Sequence, residues 1–150
     1  MLEFAVQYQT AIDSITGDQD MKMHELELDS GEWKLAKQLH NTLKVFKHAK
    51  LYFSCKTPSI STVIPVMNHI DEHLATTAEN SHYSVALHSA LAIGKQTLNK
   101  YYNKTNYSEV YQITMILHPR HKLKYFESTG WQEDWIVTAQ SIVCNEFDRT

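Results

Sequence analysis

The sequence predicts an all-α fold, an antiparallel array of about six to seven helices with a long second helix. Three observations point there. Only four glycines and three prolines occur in 150 residues, too few for the frequent turns of a β-sandwich or barrel. Apolar residues recur at three- and four-residue spacing along nearly the whole chain, which places them on one helical face. The connections between these stretches are short, as antiparallel neighbours require.

The first helix is expected over residues 2–16, with Phe4, Tyr8, Ala11 and Ile15 on its buried face. Gly17 and the polar residues through Asp20 stop it, and the acidic stretch 21–29 reads as a loop. The long helix starts at DSGEW, where Asp29 is the N-cap and Glu32 stands in capping-box register. Leu35, Leu39, Thr42, Phe46, Ala49 and Phe53 then step by 4, 3, 4, 3 and 4. Lys37, Lys44 and His48 fall on the opposite side. A seam holding Thr and Ala for under three heptads favours packing inside a bundle over a coiled coil.

Thr57-Pro58 reads as an N-cap with proline at the first helical position. Ile60, Ile64, Met67, Ile70 or Asp71, and Leu74 continue the periodicity, and Pro65 within it predicts a kink or a break. Residues 79–83 form a polar turn. Ser84 opens a helix carrying Leu87, Leu91, Gly94, Leu98 and Tyr101 or Tyr102 on one face, where Gly94 implies close approach by a neighbour. Ser108 is expected to cap a short helix Glu109–Leu117, and Pro119 to restart helix as far as Ser128. Gly130 is the next stop. The last helix begins near Gln132, with Glu133 and Asp134 at its positive end and Trp135, Ala139, Ile142 and Phe147 as its buried side.

Length corresponds to one domain, 1–150. Two cysteines, Cys55 and Cys144, make no disulfide scaffold and no zinc-type CxxC, so a reduced intracellular compartment is expected. Cys144 reads as structural. MLEFAVQYQT is interrupted by Glu3 and Gln7 and does not read as a signal peptide, and no apolar run suits a membrane. Net charge is −3 but unevenly spread: residues 1–32 carry −7, 33–70 carry +6, 71–79 carry −3, 80–126 carry +5 and 127–150 carry −4. Such basic blocks suit either solvated helix faces or contact with a polyanion.

Catalytic signatures are missing. His118–His121 and His69–His73 have only pairwise metal-ligand spacing and do not form HEXXH. Asp71 and Glu72 diverge by about 100° on a helix and make no carboxylate pair. Neither a GxSxG nor a glycine-rich phosphate loop occurs, and Cys55 has no base closer in sequence than His48. No enzyme activity, metal or cofactor is expected of this chain. In LHPRHKLKYF, residues 117–126, Leu123 and Phe126 are expected to point inward. Arg120, Lys122 and Lys124 are expected to point outward, which suits a plain helix start and also a phosphate-contacting ridge.

LHPRHKLKYF, followed by GWQEDWI and IVCNEF, resembles the hAT transposase superfamily. MLEFAVQYQTAI, EWKLAKQLHNTLKVFKHAKLYFS and TPSISTVIPVMNHID fit the same central region, so the resemblance spans the chain. His118 stands where that family more often has Asp. The resemblance implies the helical insertion of an RNase H-like transposase, without the catalytic carboxylates. It implies a nuclear protein and DNA as partner, with Arg120, Lys122, Lys124, Lys37 and Lys44 as contact candidates. Homo-oligomers would form through the full-length protein. The other expectation is a structural or protein-interaction remnant without DNA affinity.

Overall fold

The computed structural model describes residues 1–54 and 59–149. Within them the chain is all-α: α1 (Leu2–Gln7), α2 (Gln9–Thr16), α3 (Ser30–Phe53), α4 (Val63–Glu79), α5 (Val85–Thr105), α6 (Val110–Leu117), α7 (Lys122–Ser128) and α8 (Glu133–Asp148). Short 3₁₀ turns occupy Gln19–Met21, His24–Leu26 and Ile60–Thr62. The long helix is therefore third in order, because the expected helix 2–16 breaks at Tyr8, whose φ and ψ are −100° and 23°. The proposed Thr57-Pro58 cap lies outside the described residues.

Local chemistry explains most boundaries. The Asp29 carboxylate accepts from the Glu32 amide at 2.7 Å and Glu32 accepts from the Asp29 amide at 2.9 Å, a complete capping box. The Ser84 hydroxyl accepts from the Leu87 amide. Pro65 does not break α4. Because the helix begins at Val63, the proline falls in the first turn, where its missing N–H is not needed. Gly130 ends α7 at φ 74°, with Gly130 N donating to Glu127 O and Trp131 N to Phe126 O, a Schellman motif. Two starts differ from expectation. Ser108 makes no cap, and Glu109 stands at the N-cap of α6 without a side-chain bond. Pro119 lies in a turn, so helix resumes only at Lys122.

Two cores share α4. Val45, Ile70, Leu74, Leu87 and Leu91 join α3, α4 and α5. Ile64, Met115 and Phe126 join the start of α4 to α6 and α7, with Tyr102, Trp131 and Ile136 packed around them. Gln38 ties α3 to the α4–α5 turn, donating to His82 O and accepting from Ser84 N. The Trp33 indole donates to Asp13 at 2.7 Å and holds α2 against the start of α3. Asp71 Oδ1 lies 3.5 Å from Lys95 Nζ, a loose ion pair between α4 and α5 that lacks hydrogen-bond geometry.

Several expected faces are rotated. Leu2, Val6 and Ile12 turn inward, while Phe4, Tyr8, Ala11 and Ile15 are exposed. In α8, Ala139 is buried, but Trp135 and Phe147 are exposed. Ile60 is also exposed, and Cys144 is free and exposed instead of structural. Gly94 meets no neighbour: a Cβ built there has nothing within 4 Å. Gly94→Ala should therefore stabilise the protein by about 1 kcal/mol, since alanine loses less backbone freedom in a helix interior. Thermal unfolding checks this, and a lower melting temperature would mean that the helix does use the glycine.

Candidate nucleic-acid interface

α3 carries four kinds of surface in its 24 residues. Thr42 and Val45 are buried against α4 and α5, with Ala49 packed beside them. His40, Leu43, Lys44, Lys47 and His48 border a groove shared with Met1–Phe4 of α1. Lys37, Lys44 and His48 follow each other at seven- and four-residue spacing, forming an exposed basic face. Leu35, Leu39, Phe46 and Phe53 lie about 180° from that basic face at 100° per residue.

The basic face does not end with α3. His48 lines a cavity of about 270 Å³ with Tyr52 of the same helix, Val66 and His69 of α4, and His121. His121 belongs to the turn that carries Arg120 and leads into Lys122 and Lys124. The fold thus brings α3 and the turn after α6, far apart in sequence, to one cavity through His48 and His121.

That turn is built tightly. His121 N and Lys122 N both donate to His118 O, at 3.1 and 3.3 Å, and Arg120 N donates to His118 Nδ1 at 3.3 Å. Lys122 has φ 53°, a left-handed conformation that costs a non-glycine residue about 1–2 kcal/mol. The rings of His118 and His121 are 4.6 Å apart, and His121 meets Tyr125 edge-on at 5.3 Å. Tyr125 in turn accepts a hydrogen bond from Asn68 Nδ2 at 2.9 Å, fastening α7 to α4. Below this surface Phe126 is fully buried. Arg120, Lys122 and Lys124 are exposed and Leu123 is half-buried, as the sequence implied.

Electrostatics follow from this arrangement. Partial burial, then the nearby charges of His118 and Arg120, lower the His121 pKa and favour neutral imidazole. Burial raises the Tyr125 hydroxyl and pushes Tyr102 up to about 12, so both stay protonated at neutral pH. The Lys47 ammonium, first by hydrogen bond and then by charge, lowers the fully exposed Glu3. His40 and then Lys44 add smaller effects in the same direction. Lys37, Lys44, Arg120, Lys122 and Lys124 make no ion pair among the described residues.

The histidines meet differently from their spacing in sequence. His118 and His121 do adjoin. His69 lines the cavity, whereas His73 is half-buried on α4 with Nε2 lacking a hydrogen-bond partner. Sequence reasoning missed His48, His69 and His121 as neighbours, because no sequence signal joins three separate elements. Among the described residues, no group of three or more His, Cys, Asp or Glu is placed to hold a metal ion. No described helix is long and apolar enough to cross a membrane. Comparison with family models, curated proteins and solved structures returns no significant match to this chain.

Proposed function

We propose that this chain is a non-catalytic helical module of a hAT-like transposase that holds DNA phosphates along its basic face. One observation carries the reading: Lys37 and Lys44 of α3 and Arg120, Lys122 and Lys124 beside the α6–α7 turn are exposed and make no ion pair among the described residues, and the two stretches reach one cavity through His48 and His121. Unpaired cations at this density lower the free energy of a phosphate backbone by releasing its condensed counterions. Lysine contacts of this kind position a duplex without reading its bases. In this reading the DNA chemistry resides elsewhere in the protein, and the module supplies grip.

Anisotropy of a labelled 20-base-pair duplex tests it. Five phosphate contacts give a slope of log affinity against log salt near −4.5, so affinity falls about 500-fold between 50 and 200 mM salt. Sequence changes in the duplex leave affinity within a few-fold. Absence of binding at 50 mM salt would overturn the proposal.

A second reading, a protein-interaction module, is favoured by a different observation. The accessible surface is 11035 Å², against about 7,900 Å² for a compact monomer of this mass. Of the 25 large apolar residues that are exposed, 15 lie in residues 1–53, so the excess is concentrated at α1–α3.

A further inference from the structure

We infer that α3 pairs antiparallel with the α3 of a second copy of this chain, through Leu35, Leu39, Phe46 and Phe53. These four residues form one straight stripe at coiled-coil spacing, each between 37 and 40 % exposed. A stripe of that kind is half of a helix–helix contact. Within the chain, Thr42 and Ala49 turn toward α4 and α5 and leave the larger side chains at the edge.

Charge identifies the occupant. Glu32 and Lys50 are about five helical turns apart and occupy the same flank of the stripe. Antiparallel pairing about a twofold axis sets Glu32 of each copy against Lys50 of the other. The wider charge pattern agrees. Residues 1–32 carry −7 and residues 33–70 carry +6, yet Glu3–Lys47 is the one ion pair joining them among the described residues. Asp20, Glu25 and Lys50 make no ion pair among the described residues and can meet between copies. Because the basic face is on the other side of α3, the inference stands whether or not DNA binds.

Sedimentation equilibrium of the 150-residue chain in reducing buffer should give twice 17.4 kDa at micromolar concentration. Leu39→Glu with Phe46→Glu should give a monomer whose circular dichroism is unchanged, since neither side chain is in a core. Lys50→Glu alone should weaken association several-fold; because Glu32→Lys also opens the capping box of α3, that variant is read in an equimolar mixture with Lys50→Glu, which should restore association. A wild-type monomer at 100 μM would overturn the inference and show that something other than a second copy covers the stripe. So would a dimer that survives the double glutamate change, or a charge-reversed mixture that stays weak. DNA affinity is not read in any of these experiments, so their failure is distinct from failure of the proposed function.

Discussion

Phe126→Ala is expected to lower stability by about 3–5 kcal/mol, a large share of what a domain of this size has. The ring is fully buried. It packs with Ile64 and Met115, lies 4.6 Å from the Trp131 ring and 5.9 Å from that of Tyr125. Its neighbours come from α4, α6 and α7 and from the segment before α8, so they cannot all move inward to fill the space. The expected cost therefore includes the cavity as well as the lost transfer energy. The consequence reaches the surface. α7 and the turn before it are held over this core, so the positions of Arg120, Lys122 and Lys124 depend on a residue that touches no phosphate. Urea unfolding followed by circular dichroism gives the number. A loss below about 1 kcal/mol would mean that the second core is not packed as described.

Removing the three turn cations is expected to lower DNA affinity by more than tenfold at 50 mM salt and to flatten the salt slope by about 2.7. The right variant is Arg120→Ala, Lys122→Gly and Lys124→Ala. Glycine is chosen at 122 because that residue has φ 53° and glycine keeps the turn without the cost of a Cβ in the left-handed region. Stability should then hold or rise slightly, which separates loss of charge from loss of fold. The loss should be similar for every duplex sequence, because phosphate contacts carry no base information. Unchanged affinity would remove the turn from the interface and leave Lys37 and Lys44 of α3 as the remaining candidates.

Helix existence was readable wherever a cap announced it. Asp29 with Glu32, Ser84 and Gly130 are local signals whose hydrogen bonds form within a few residues, and all three act as expected. Which side of a helix meets its neighbours was less readable. α3 carries one heptad stripe, but only Thr42 and Ala49 of that stripe turn toward the first core, while Val45, outside it, is buried there. Periodicity identifies an apolar side and is silent on which edge of it finds a partner. The same ambiguity rotated α1, α2 and α8, where Phe4, Ile15, Trp135 and Phe147 are exposed. Gly94 misled for a related reason: a glycine in an apolar stripe looks like a packing site, yet nothing approaches it.

The candidate interface divides in the same way. That Arg120, Lys122 and Lys124 would be outside followed from Leu123 and Phe126 turning inward. That their turn would reach one cavity with the end of α3 did not follow, because it depends on α4 packing between α3 and α7. The left-handed Lys122 was also hidden, since a lysine gives no sequence signal of that conformation.

Lysine acetylation footprinting by mass spectrometry, with and without duplex DNA, tests the central claim most directly because it reads each ammonium separately. Bound DNA should protect Lys37, Lys44, Lys122 and Lys124. Lys100 and Lys104, exposed along α5 around a different groove, should react as fast as in the free protein. Protection centred on Lys100 and Lys104, or a uniform slowing at every lysine, would contradict a basic face running from α3 to α7.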